Sequence, residues 1–165
     1  MEFALIFLVL MTMILGIIDF CRAAYSYHFV SEAAREATRW AAVNGATCGA
    51  APAGDNSCNG TAPMNNGPAS ASDIQTYVTN LAPPGIDTSS TGCGGSACLA
   101  TSASWTPVAN GPTICSAAVN GVGPYPNYPG CTVEVEVSYT FNFIFPLVRT
   151  GTLTLSSTSE MVIAH

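Results

Sequence analysis

From Met1 to Ile18 the chain offers almost no polar position. "MEFALIFLVLMTMILGII" carries Glu2 and Thr12 as its polar side chains and is otherwise apolar. A block of that length can cross a bilayer as a helix. A cleaved secretory signal would have a shorter apolar region followed by a small-x-small site. Here the sequence runs on as "DFCRAAYSYHFVSEAAREATRWAAVNG", with no proline and with no glycine between Gly16 and Gly45. Ala, Glu and Arg favour helix. Glu32–Arg35 and Glu36–Arg39 fall at i,i+3, and Asn44-Gly45 suits a C-cap. The pattern predicts one continuous helix over residues 2–43, roughly 65 Å long at 1.5 Å per residue. Its first half is lipid-grade and its second half amphipathic.

The clearest strand is "CTVEVEVSYTFNF". Val133, Val135, Val137, Tyr139, Phe141 and Phe143 point one way; Thr132, Glu134, Glu136, Ser138, Thr140 and Asn142 point the other. Strict alternation of this kind marks a half-buried antiparallel strand. "GTLTLSSTSEMVIAH" reads as its return strand, with Pro146–Gly151 as the connection. Between helix and strand the pattern weakens. Residues 45–71 read as a Gly/Pro/Asn/Ser/Ala-rich loop. "SDIQ" (Ser72 to Gln75) fits a capping box, and Ile74, Tyr77, Val78 and Leu81 then mark one face of a short helix ended by Pro83-Pro84-Gly85. Residues 86–111 read as turn-rich, with at most short strands. "PTICSAAVNG" reads as a strand ending at Asn120-Gly121, and "VGPYPNYPG" as a loop. The expected fold class is α+β: a long N-terminal helix packed on a small antiparallel sheet, with disulfide-held loops. The expected division is 1–44 for the helix, with 1–18 in the membrane, and 45–165 for an extracellular head.

Composition sharpens this picture. Only 8% of the 165 residues are charged and none is lysine, against roughly 25% charged in an ordinary soluble chain. Residues 1–44 carry Glu2, Asp19, Glu32 and Glu36 against Arg22, Arg35 and Arg39. Residues 45–165 carry Asp55, Asp73, Asp87, Glu134, Glu136 and Glu160 against Arg149 alone. An acidic, lysine-free distal part argues against nucleic acid, which needs Lys and Arg at the phosphates.

There are seven cysteines. Cys21 lies in the helix and reads as a small buried hydrophobe. Cys48, Cys58, Cys93, Cys98, Cys115 and Cys131 lie in loop-rich sequence. With no C-x-x-C and with only His28 and His165, zinc spacing is absent. Six cysteines in such sequence read as three disulfides in an oxidising compartment. Local closure favours Cys48–Cys58, Cys93–Cys98 and Cys115–Cys131 among the 15 possible pairings. The cysteine-bearing part then lies outside the cytoplasm. The positive-inside rule asks for Lys or Arg before residue 1, so a basic leader ahead of Met1 is expected.

No catalytic residue, metal ligand or cofactor is expected. Asp19, His28 and Glu32 lie too far apart along one helix to form a catalytic set, and the serines lack a G-x-S-x-G context. Asp19 and Arg22 read as a helix pair at the membrane exit, with an ion pair between copies as the alternative. Glu32, Arg35, Glu36 and Arg39 form either a solvated face or ion pairs between copies. Asn59-Gly60-Thr61 matches the glycosylation sequon, making Asn59 a candidate modification site.

"EFALIFLVLMTMILGIIDFCRAAY" followed by "SEAAREATRWAAVNG" resembles the N-terminal region of TadE-like proteins, pilin-like subunits of tight-adherence (type IVc) pili. "VEVSYTFNFIFPLV" and "TLTLSSTSEMVI" resemble the end of that family's domain. In the family a basic leader ends in Gly, a prepilin peptidase cuts there, and a Glu lies a few residues into the mature helix. The match places Glu2 at that Glu, just before Phe3-Ala4-Leu5. The chain departs from the pattern in having only Met1 ahead of it.

The resemblance implies a role for Glu2. A charge at membrane depth costs roughly 2.5–3.5 kcal/mol on insertion scales and persists when it finds a partner. The implied partner is the α-amino group of a neighbouring copy, with Met1 and Phe3 beside it at the register point. Leu5, Ile6, Leu8, Val9, Met13, Leu15, Ile17 and Ile18 would pack the core. The plainer alternative is an interfacial Glu held by the helix dipole.

The expected function is that of a structural pilin, polymerising through its helix into an extracellular adhesive filament. Its partners would be copies of itself, the inner membrane before assembly, and the prepilin peptidase and assembly machinery. A minor or priming subunit is a near variant. The rival from another class is a membrane-anchored extracytoplasmic binding module.

Overall fold

The computed structural model describes residues 2–45, 69–91, 93–107, 129–143 and 152–164. Helix α1 runs unbroken over Glu2–Val43, about 63 Å at 1.5 Å per residue. At its end the Asn44 backbone N–H and side-chain amide both donate to the Trp40 carbonyl, at 3.1 and 2.8 Å. Helix α2 spans Ala71–Leu81. Strands β1 (Leu99–Pro107), β2 (Cys131–Phe141) and β3 (Leu153–Val162) form one antiparallel sheet in the order β1-β2-β3. The protein is α+β, a long helix packed on a small sheet.

Alternation in β2 does what the sequence requires. Val133, Val135, Val137, Tyr139 and Phe141 are buried. The register places Thr101 and Ser157 beside Val137, and Ala103 and Ser159 beside Val135. The inward face is therefore greasy along β2 and small in the middle of both edge strands. Helix α1 lies over β2 and β3, and α2 lies over β1. Trp40 and Tyr77 stack between the helices at 5.0 Å.

The head-facing stripe of α1 is built from small residues. Val30, Ala33, Ala34, Ala37, Thr38, Ala41 and Ala42 are all buried. Alanines let the helix approach the sheet closely. Thr38 Oγ1 donates to the Ala34 carbonyl at 2.6 Å and also reaches the Ser159 carbonyl at 3.3 Å. The Ala164 N–H donates to the Ala42 carbonyl, so the backbone just after β3 runs along the same helix.

Several expectations need correction. Residues 99–107 form a nine-residue strand where turn-rich sequence was expected. The capping box of α2 is Ser70 with Asp73, two residues before the Ser72–Gln75 pattern. The Ala69 N–H is tied to the Asn44 carbonyl at 2.9 Å, which delivers the chain so that Ser70 takes the cap. Leu81, expected on the buried face, is exposed, whereas Ile74 and Val78 are fully buried. Strand β2 ends at Phe141, short of Phe143. The expected strand at 112–121, most of the loop at 122–130 and the Pro146–Gly151 connection lie outside the described residues.

The Cys93–Cys98 disulfide is present. It closes a tight turn in which Gly94 and Gly95 take φ of 68° and 92°, a region that side-chain-bearing residues rarely enter. Cys131 is also disulfide-bonded, and its partner lies outside the described residues. Cys48, Cys58 and Cys115 lie there too, and with them the pairings Cys48–Cys58 and Cys115–Cys131.

Candidate assembly surface on the long helix

The first half of α1 is not covered by the head. Every residue from Phe3 to Ile18 is exposed except the half-buried Thr12. The side chains expected to pack a core (Leu5, Ile6, Leu8, Val9, Met13, Leu15, Ile17 and Ile18) all face outward, with Phe3 at 82% exposure. Leu5, Ile6, Val9, Leu10 and Met13 border a shallow apolar depression. Fully burying one such side chain is worth about 1.5–3 kcal/mol, so leaving this set of eight in water would forgo up to about 12–24 kcal/mol. That is comparable with or larger than the whole stability of an ordinary domain. A helix apolar all round needs lipid or protein on every side. The most apolar stretch has a mean hydropathy of 2.6 and is 6% buried, long and apolar enough to cross a membrane.

Glu2 opens α1; its side chain and all of Met1 lie outside the described residues. Phe3 stacks on Phe7 at 6.4 Å, an i,i+4 contact within the same helix.

The three charged couples all close within α1. Arg22 pairs with Asp19 at 3.3 Å, Arg35 with Glu32 at 3.9 Å and Arg39 with Glu36 at 4.0 Å. The second and third are long and exposed, and such pairs contribute little. Glu36 also accepts from the Tyr77 hydroxyl at 3.3 Å. Burial, followed by the neighbouring Glu36 charge and this hydrogen bond, raises the Tyr77 pKa above its ordinary value. The first couple is different. The Asp19 side chain is 6% exposed, although the helix on its N-terminal side is open. The Arg22 guanidinium lies 5.2 Å from the Phe141 ring centroid, and Phe141 meets Phe143 edge to face at 5.2 Å. Sequence reading found the Asp19–Arg22 spacing but missed Phe141, because a contact spanning that much chain leaves no local pattern.

His28 lies against Tyr27 and forms no set with Asp19 and Glu32. Among the described residues, no group of three or more His, Cys, Asp or Glu is arranged to hold a metal ion. Cys21 is a free thiol and exposed, correcting the expectation of a buried one: its position faces away from the sheet. Asn59 lies outside the described residues. In the head, Asp87 Oδ1 accepts from the Ser89 N–H at 2.8 Å; this backbone bond and a second bond from the Ser89 side chain hold the Asp87 carboxyl below its usual range. On the outer sheet face Glu134 stands directly opposite Glu160.

Residues 1–39 match the model of the family described as TadE-like protein. The match takes in the apolar block, the charged couples and the start of the alanine stripe; it stops before the head. No curated protein and no solved structure matches the chain.

Proposed function

We propose that this TadE-like chain is a pilin-like subunit of a tight-adherence-type pilus, anchored in the membrane by one helix and polymerising through that helix into an extracellular adhesive filament. One observation carries the reading. Helix α1 continues without a break from an exposed apolar half into a half that carries the head. A bare anchor needs no helix beyond the membrane. A rod of this kind can exchange lipid for neighbouring copies while the head stays attached. The TadE-like match over residues 1–39 supports the same reading.

In the filament the apolar halves would pack together. Glu2 of one copy would meet the α-amino group of the next and set the register, a use of a buried charge for specificity more than for stability. Arg35 and Arg39 would be free to exchange their weak intrahelical pairs for a neighbour's Glu32 and Glu36. The heads would face solvent and supply surface attachment. Copies of the chain, the inner membrane, the prepilin peptidase and the assembly machinery are the proposed partners.

The test is microscopy of sheared cell-surface material with mass spectrometry of its protein. Filaments containing this chain are expected. Glu2→Ala should leave the head folded and abolish or slow filament formation. Finding the chain only as detergent-solubilised monomers would overturn the filament reading; normal filaments from Glu2→Ala would remove the register role.

A further inference from the structure

We infer that Asp19, Arg22 and Phe141 form a rigid joint that holds the apolar half of α1 in line with the head, so that the molecule moves as one rod. This goes beyond polymerisation and rests only on the anchored-helix reading.

Burial along α1 places the joint. From Phe3 to Ile18 the helix is open apart from the half-buried Thr12. Asp19 is the first fully buried residue, and Ser26, Val30, Ala33, Ala34, Ala37 and Ala41 continue its stripe at helical spacing. The head therefore grips the helix from Asp19 onward. An acid is an unexpected first rung where the lipid-grade block ends, because a buried charge is costly unless it is paired. Asp19 is paired with Arg22 at 3.3 Å. Arg22, whose side chain is 40% exposed, lies across the Phe141 ring. Phe141 is 1% exposed, sits at the last position of β2 and is braced by Phe143. One turn further on, Ser26 Oγ donates to the Arg22 carbonyl at 3.0 Å. A flat guanidinium can serve a carboxylate at its end and an aromatic ring on its face at the same time. The couple thus ties one turn of α1 to the end of the central strand.

The test uses the full chain in detergent micelles, one copy at a time, with Cys21→Ser and spin labels at Phe7→Cys and Ser104→Cys. Pulsed dipolar spectroscopy then reads the distance distribution between membrane half and head. A single narrow distribution is expected. Asp19→Asn and Arg22→Gln should each broaden it at least two-fold, and Arg22→Lys, which keeps the charge but lacks the planar guanidinium, should fall between. Glu32→Gln, in an exposed couple, should leave the width unchanged. If Asp19→Asn does not fold, judged by the head's near-ultraviolet circular dichroism, Arg22→Gln decides. Folded Arg22→Gln with an unchanged width overturns the joint, even if its melting temperature falls. Because single chains are measured, failure here is distinct from failure to find filaments.

Discussion

Ala37→Leu tests why the second half of α1 is so rich in alanine. Ala37 has no exposed surface and lies beside Thr38, whose hydroxyl reaches the Ser159 carbonyl at 3.3 Å. Ser159 is paired with Val135, so this level of the helix sits above the middle of the sheet. Leucine adds three heavy atoms where packing leaves no surface. Overpacking costs typically 1–3 kcal/mol. If the helix shifts outward, Thr38 loses the Ser159 contact, worth about 0.5–1.5 kcal/mol more. The total is about 1.5–4.5 kcal/mol. At roughly 2–4 °C per kcal/mol for a chain of this size, the head should melt about 3–18 °C lower. The assay is thermal unfolding followed by near-ultraviolet circular dichroism in detergent, with Arg35→Leu as control. Arg35 is exposed and Leu is an equally good helix former, so the control should move by less than about 0.5 kcal/mol. A shift for Ala37→Leu no larger than the control's would refute the close helix–sheet contact.

Two further outcomes follow from the head. Tyr77 has a raised pKa, so the folded state holds its proton more tightly than the unfolded chain does; its contribution is full below the unfolded value of about 10 and is lost as pH rises through the folded value. Stability measured by urea unfolding should therefore fall above about pH 10, and Tyr77→Phe should flatten that alkaline decline while leaving the neutral value within about 1 kcal/mol. Replacing both Cys93 and Cys98 by serine opens a loop with a sequence separation of 5. The chain-entropy relation gives a loss of about 2 kcal/mol for so short a loop, to be read as a lower urea midpoint with an unchanged anchor helix by far-ultraviolet circular dichroism.

Legibility in this chain follows the range of the cause. Helix α1 and strand β2 were readable because each repeats one local rule over many residues: unbroken helix formers in the first, strict alternation in the second. Strand β1 was not. Its inward set is Leu99, Thr101, Ala103 and Trp105, and the two small residues in the middle give no hydrophobic beat. They are small because α2 lies over them, a fact of tertiary packing. The α2 cap shows a gentler failure. Ser72 to Gln75 fits the familiar spacing with a long N3 side chain, but Ser70 with the shorter Asp73 won because the chain arrives there already tied to Asn44.

The same distinction separates what the candidate site showed in sequence from what it hid. Periodicity assigns a residue to a face but does not say what stands opposite. Glu134 was correctly placed on the outer face, yet nothing local said that the register would set it against Glu160, a like-charge pairing that costs stability where it occurs. Asp19 and Arg22 were likewise read as an i,i+3 couple, which they are. What makes that couple unlike Glu32–Arg35 and Glu36–Arg39 is Phe141, brought over Arg22 by the strand that ends there. Three couples with identical spacing on one helix thus have different physical weight. The two exposed couples contribute little, while the one at the end of the apolar block is tied to its own head. The sequence difference behind this is small: the exposed couples lie among Glu, Arg and Ala, whereas Asp19 and Arg22 are flanked by Ile18, Phe20 and Cys21, where an ordinary exposed ion pair has no reason to be.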